Sequence, residues 1–171
     1  MRIAIPSSAP GLRRALPFAA TLLAFGVASP PAWAGSCDET TNPITISETQ
    51  QINYGTIAVT NGGGTVTIST SGAVAAPGGF TVSGLTSAGK FHVLGKQNCS
   101  VIISFLPGSL TGPGAAMTIG NFTNDAGANP ALTHTAGSQG SLDFSVGADL
   151  TVNPNQSGGS YSGTYSVTVI Y

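Results

Sequence analysis

The final eleven residues alternate between two kinds of side chain. Apart from Gly163, the odd positions are aromatic or aliphatic, and serine or threonine fills the even positions up to Thr168. A period of two is typical of a β-strand with one buried face. We expect this terminal strand either to close its own sheet or to pair with a strand from a partner. The inward-facing large side chains are Tyr161, Tyr165, Val167, Val169 and Tyr171.

Shorter apolar or alternating segments precede the terminal strand, separated by glycine, proline and asparagine. Short strands with frequent turn signals and no helical period predict an all-β fold. An antiparallel β-sandwich is the leading interpretation and a closed barrel is the alternative. Before the terminal strand, the segments predicted as strands are Ile44–Ile46, Ile52–Val59, Thr65–Ser69, Phe80–Val82, Lys90–Leu94, Cys99–Leu106, Met117–Phe122, Leu142–Val146 and Leu150–Val152.

Several details of these strands can be predicted from local residues. The apolar positions change from even to odd at Gly55, which indicates a bulge or bend. The turn residues 61–64 predict a hairpin that pairs Ile52–Val59 with Thr65–Ser69. Cys99–Leu106 is nearly all apolar, as in a strand buried on both faces, and Pro107 should end it.

The first 34 residues have the pattern of a secretory signal peptide. Arg2, Arg13 and Arg14 precede or flank a short apolar run, and Ala32 and Ala34 form a small-x-small cleavage site. The run is shorter than the roughly 20 apolar residues that span a bilayer. We therefore expect export to a Gram-negative periplasm and a single mature domain, residues 35–171, without a membrane span.

The mature segment carries few charges. Six acidic residues against two lysines give it a formal net charge of −4. Without a basic patch, nucleic acids and anionic membranes are poor candidates as partners.

Two cysteines remain after residue 34, Cys37 and Cys99. In an exported protein, an even pair predicts a disulfide. The alternative is that both bind a metal, but no histidine or further cysteine lies near them in the sequence.

No segment carries a recognised catalytic or cofactor motif. On alternating strands, His92 and Asp143 should face solvent, Asp149 should flank a turn, and His134 lies in a polar region. No loop groups several carboxylates as a calcium site requires. We expect no enzyme activity, no metal and no cofactor.

Four motifs stand out along the later part of the sequence: Ile52–Ile57 with Gly64–Ile68, Met117–Phe122, Phe144–Val152 and Gly159–Val169. Through these motifs, residues 44–171 resemble a family of exported bacterial proteins of unknown function. That family is similar to spore coat U proteins and to the pilins of archaic chaperone–usher systems.

The resemblance implies an incomplete immunoglobulin-like sandwich that forms part of a fimbria or another surface structure used in adhesion. A periplasmic chaperone, and then a neighbouring subunit delivered through an usher, would supply the missing strand. In that scheme, the terminal strand from Tyr161 to Tyr171 is the edge that binds the partner's strand, and its side chains that face the groove are Tyr165, Val167, Val169 and Tyr171. The arm Gly35–Pro43 departs from the pattern, because it is polar and lacks the alternating apolar residues of a donor strand. The alternative is a self-contained secreted surface, coat or binding domain.

Overall fold

The computed structural model describes residues 37–59, 62–134 and 139–171, and the predicted signal peptide lies outside them. The described residues contain strands and turns but no helix. The strands are β1 (Thr45–Gln50), β2 (Thr56–Val59), β3 (Gly64–Ile68), β4 (Val74–Ala75), β5 (Phe80–Ser83), β6 (Gly89–Lys96), β7 (Ile102–Thr111), β8 (Met117–Asn124), β9 (Thr133–His134), β10 (Gln139–Val152) and β11 (Ser162–Ile170).

All strand pairs are antiparallel, and most strands belong to one large sheet. Its main path runs β1-β6-β10-β8-β7-β11, and β3, β4 and β9 are attached beside that path. A second, two-stranded sheet joins β2 to β5. The antiparallel β-sandwich predicted from the sequence is confirmed.

The central strand of the large sheet is β10. Its even-numbered side chains are buried from Phe144 through Val146, Ala148 and Leu150 to Val152. The first half of β10 pairs with β6, and the second half pairs with β3. Its buried row therefore runs through both apolar clusters that make up the core.

The predicted interruption of this strand at Gly147 and Ala148 is wrong, because β10 is continuous there. The irregularity belongs to the pairing with β8, where Ala148 lies opposite two residues, Asn121 and Phe122. Asn121 takes a left-handed φ of 47° at this bulge. A Cβ at position 147 would meet the backbone of Ile68 and Ser69, so the glycine allows close packing and does not end the strand.

The prediction that Cys99–Leu106 is buried on both faces is also wrong. Only one face of β7 contacts the core, and on the other face Ile102 and Leu106 are 47% and 66% exposed. The strand continues past Pro107 to Thr111. Pro107 fits because it lies in a bulge, where it and Gly108 oppose a single residue of β11, so its missing N–H interrupts an already irregular ladder.

The predicted hairpin between β2 and β3 does not form. β2 pairs with β5, whereas β3 pairs with β10 and β4. Val66 and Ile68 lie opposite Leu150 and Ala148 and are completely buried there. Burying these side chains against the central strand outweighs the local turn preference.

The predicted disulfide joins Cys37 to Cys99 across 62 positions of the sequence. Cys99 is 2% exposed and follows the end of β6, whereas Cys37 lies in the exposed arm before β1. The bond therefore fixes the arm beside β6, the strand with which β1 pairs.

Candidate functional site

The two ends of the sheet path, β1 and β11, are its edge strands, and they face one another across a groove. We call this cavity of about 280 Å³ the edge groove. Its lining combines apolar side chains with the polar side chains of Glu48, Gln51 and Thr164, and of its described lining residues only Glu48 carries a charge. The side chains that shape it are Ile46 and Glu48 of β1, Ile52 just after β1, Phe91 of β6, and Tyr165 and Val167 of β11.

Aromatic rings fix the floor of the edge groove. Tyr165 stacks on Phe122 with ring centroids 5.0 Å apart, and it contacts Phe91 edge-on at 6.4 Å. Phe91 in turn stacks on Phe144 of the central strand. Contacts of this kind hold an aromatic ring in one orientation, so Tyr165 is a fixed part of the floor.

One side-chain contact crosses the edge groove. The Tyr165 hydroxyl donates to Glu48 Oε1 at 3.5 Å. Burial raises the pKa of Tyr165 well above its ordinary value, and the nearby Glu48 carboxylate, by charge and by hydrogen bond, raises this pKa further. At neutral pH, the hydroxyl therefore stays protonated and remains a donor.

At the far end of β11, Tyr171 connects the two ends of the domain. Its hydroxyl accepts the Lys96 N–H at 2.6 Å and donates to the Asn42 carbonyl at 2.9 Å. These bonds hold the arm, the end of β6 and the end of β11 together. They lie on the same side of the domain as the Cys37–Cys99 bond, which joins the same arm to the residues after β6.

A second and larger cavity, of about 720 Å³, lies beside the edge groove. We call it the slot. Residues 52–59, which include β2, form one side of it, and residues 156–161 form the other. Its apolar floor consists of Leu110, Met117, Leu150 and Val152.

The structure separates the five predicted residues of the terminal strand into four settings. Tyr165 and Val167 line the edge groove, and Tyr161 lines the slot. Val169 is buried in the core at 8% exposure, and Tyr171 makes the bonds described above. Sequence reasoning missed the slot, because its two sides are distant in sequence and no local pattern signals that they face each other.

The loop on one side of the slot is held by the hydroxyl of Tyr161. This hydroxyl accepts the Gly114 N–H at 2.8 Å and donates to the Ser157 carbonyl at 2.7 Å. The Gln156 side chain also donates to the Ala115 carbonyl at 2.7 Å. The wall of the slot is therefore fixed by hydrogen bonds that do not require a ligand.

The polar clusters outside these cavities have structural explanations. His92 and Asp143 are directly opposed on β6 and β10, with Nδ1 and Oδ1 2.6 Å apart, and Asp143 is exposed as predicted. The prediction that Asp149 flanks a turn is wrong. Asp149 lies within β10 and accepts hydrogen bonds from Thr67 at 2.5 Å and Asn121 at 3.0 Å.

The described residues contain neither a candidate metal-binding cluster nor a helix that could span a membrane. In residues 37–59, 62–134 and 139–171, no group of three or more histidine, cysteine, aspartate or glutamate side chains could hold a metal ion. The same ranges hold no helix with the length and hydrophobicity needed to cross a membrane. The side chain of His134 lies outside the described part of the chain.

Comparison with known proteins identifies the family of the domain. No curated protein and no solved structure matches the chain. One family model matches residues 44–171, from just before β1 to the end of β11, and so includes both cavities. The chain therefore belongs to the family described as Domain of unknown function (DUF4402).

Proposed function

We propose that the protein is an exported structural subunit of a fimbria or another cell-surface assembly. It accepts a β-strand first from a periplasmic chaperone. The usher then brings in a neighbouring subunit, whose strand replaces that of the chaperone. The observation that carries the proposal is the edge groove, a cavity with an aromatic and aliphatic floor that lies between two edge strands of one sheet. A strand added at such an edge gains main-chain hydrogen bonds and places alternate side chains in pockets.

The edge strand β11 lacks the usual protection against strand addition. Natural edges are often shielded by charged residues, by proline or by a covering element. Ser162–Ile170 contains neither a charge nor a proline, and its one paired neighbour among the described residues is β7. An uncharged edge next to a groove with aromatic and aliphatic side chains in its floor favours pairing with another chain.

The groove wall formed by β1 is only lightly attached to the core. Five of its six side chains are exposed, and Ile46 is 37% exposed although it lines the edge groove. An incoming strand would cover Ile46. The gain from burying such an apolar side chain supports acceptance of a partner's strand.

The arm before β1 supports a role as acceptor alone. Cys37 is bonded to Cys99, and the Asn42 carbonyl accepts a hydrogen bond from Tyr171. Residues 37–43 are polar apart from Cys37 and Pro43. A segment tied at both ends and without alternating apolar side chains is a poor donor, so a tip or terminating position suits this subunit.

One observation favours the alternative, a self-contained secreted surface, coat or binding domain. The Tyr165 and Tyr171 hydroxyls both join parts of the chain at the two edges of the sheet. The described residues also contain no buried side-chain nitrogen or oxygen without a hydrogen bond. A domain closed in this way could remain folded without a partner.

A matched pair of substitutions on β1 tests the proposal. Ile46 lines the edge groove, whereas the neighbouring Ser47 is exposed and faces away from it. The full gene is expressed in its own host as wild type, Ile46→Arg and Ser47→Arg. Surface extracts are then examined on denaturing gels, with and without heating, for ladders of strand-complemented subunits.

We expect heat-sensitive ladders for the wild type and Ser47→Arg, and their loss for Ile46→Arg. An arginine at position 46 would fill the space of the partner's strand with a long charged side chain, whose burial under that strand is costly. Circular dichroism and disulfide content check that each variant is folded. Ladders from a folded Ile46→Arg variant, or a wild-type chain that is monomeric throughout, would refute the proposal, and the second result favours the self-contained domain.

A further inference from the structure

The slot has backbone edges on both sides. A strand that faces a cavity contributes every second residue to it, since its side chains alternate between faces. Here eight consecutive residues, 52–59, line one side, and six consecutive residues, 156–161, line the other. Consecutive lining residues indicate that both segments turn their main chain towards the slot.

On the β2 side, the backbone has a partner on one edge only. Within the described residues, all four residues of Thr56–Val59 pair with Phe80–Ser83. β2 pairs with no other described strand. Its opposite edge therefore points into the slot and can accept main-chain hydrogen bonds from an extended segment.

The chemistry of the slot restricts its occupant. None of the described residues that line it carries a charge, and its floor of Leu110, Met117, Leu150 and Val152 is apolar. Inserting a charged side chain would remove its hydration without supplying a partner. The occupant's inward side chains should therefore be uncharged and large enough to reach the floor.

The slot and the edge groove follow each other along β11. Ile52 lines both cavities, Tyr161 lines the slot, and Gly163 and Tyr165 line the edge groove. Gly163 lacks a side chain, and a Cβ there would contact the backbone of Ser109. The close approach of β7 therefore requires glycine at this position, and the shared residue Ile52 makes the two cavities adjacent.

We infer that the slot and the edge groove bind one continuous extended segment, whose uncharged, bulky apolar end occupies the slot. This inference rests on the proposed function and specifies the partner's chemistry. The stretch from Tyr161, just before β11, to Val167 within it is seven residues, or about 23 Å at about 3.3 Å per residue. The slot extends beyond Tyr161 to Gln156, so the segment is about ten residues or longer.

The difference in volume between the two cavities gives the bound segment a direction, because its two ends differ in the size of the side chains that they can carry. The slot holds about 720 Å³ and the edge groove about 280 Å³. Large side chains fit one end of the segment and small ones fit the other. A segment with the same composition but its large residues at the wrong end should bind more weakly.

Three labelled 13-residue peptides test this inference by fluorescence polarisation with the mature, oxidised protein. All alternate threonine with an inward apolar position. The first peptide has leucine at its two N-terminal inward positions and alanine at the rest, and the second has leucine at its two C-terminal inward positions. The third peptide has the sequence of whichever of these two binds more tightly, with one of its leucines replaced by lysine.

We expect the two leucine placements to differ in affinity by at least about ten-fold, since pocket occupancy by methylene groups discriminates on that scale. Lysine should remove most of the binding. Testing two placements makes the result independent of whether the segment runs parallel or antiparallel to β11.

A matched pair of protein variants assigns this preference to the slot. Ser160 is exposed and lines the slot, whereas the exposed Ser162 lines neither cavity. Ser160→Trp should abolish the difference between the two leucine placements, and Ser162→Trp should retain it.

The outcomes separate the inference from the proposed function. Equal affinities for the two placements, or a preference that survives in Ser160→Trp, would overturn the inference while peptide binding still supports strand acceptance. If no peptide binds to the folded protein, both the inference and the proposed function are refuted.

Discussion

Removing the disulfide should destabilise the domain more than most single side-chain changes. The test variant is the double substitution Cys37→Ala/Cys99→Ala in the mature chain. The bond joins residues 62 positions apart, and a cross-link of this span restricts the unfolded chain by about 4 kcal/mol in the loop-entropy model. A domain of ordinary size has a free energy of unfolding of about 5–15 kcal/mol, so the loss is a large fraction of it.

The structure also predicts which strand opens most easily once the disulfide is removed. The bond fixes the arm before β1, and five of the six side chains of β1 are exposed. With few buried contacts of its own, β1 should open locally at a lower free energy than the rest of the sheet. Amide hydrogen exchange in the double variant should therefore be faster in β1 than in β10.

Urea unfolding followed by circular dichroism measures the effect. Tryptophan fluorescence cannot report it when residues 35–171 are used, because the single tryptophan, Trp33, precedes them. Wild-type protein treated with a reductant is the control, and it should lose a similar free energy of unfolding. A loss below about 1 kcal/mol in both samples would refute the reasoning, because the loop model then fails for this domain.

Two further predictions concern the core. Burial raises the pKa of Tyr54, and the charge of Asp149 raises it further, so the folded state favours the protonated hydroxyl that donates to the Ala148 carbonyl at 2.9 Å. The free energy of unfolding should therefore hold below about pH 10 and fall above it, because the unfolded tyrosine ionises there and the folded one does not. The slope of the free energy of unfolding against pH should reach up to about 1.4 kcal/mol per pH unit. Urea titrations at alkaline pH should show a smaller slope for Tyr54→Phe than for the wild type, and equal slopes would contradict this. Leu150→Ala should cost about 2–5 kcal/mol in the same urea assay, because Leu150 is 2% exposed. Leu106→Ala, at a site that is 66% exposed, should change stability by less than about 0.5 kcal/mol, and similar losses for the two would contradict the core assignment.

The sequence predicted features that depend on local alternation or on a single pairing choice. The alternation from Tyr161 to Tyr171 is confirmed as a strand at the edge of a sheet, with Val169 buried and Ser166 and Thr168 exposed. The disulfide could be predicted because the sequence holds only two cysteines. Neither inference required knowledge of distant contacts.

The failed predictions involve choices that distant contacts decide. Glycine and asparagine at 61–64 permit a tight turn, but the burial of Val66 and Ile68 against β10 decides the pairing. An apolar run such as Ile102–Leu106 does not reveal whether a second layer covers its outer face. For β10, the even-numbered apolar row continues through Ala148, and this periodicity was a better guide than the glycine at 147.

The candidate site was predictable only in part for the same reason. Alternation identified Tyr165 and Val167 as inward-facing, and both line the edge groove. It could not show that β1 lies across from them, since that depends on the strand order of the whole sheet. The slot was not predictable, because residues 52–59 and 156–161 meet only in the folded domain.

Amide hydrogen exchange along β11, measured in the isolated domain and in the surface assembly, tests the central claim most directly. In the isolated domain, only one edge of Ser162–Ile170 is paired among the described strands, so protected amides should alternate with rapidly exchanging ones. In the assembly, a complementing strand should protect the second set as well. Uniform protection of β11 in the isolated domain, or an alternating pattern that persists unchanged in the assembly, would contradict the claim that this edge accepts a strand.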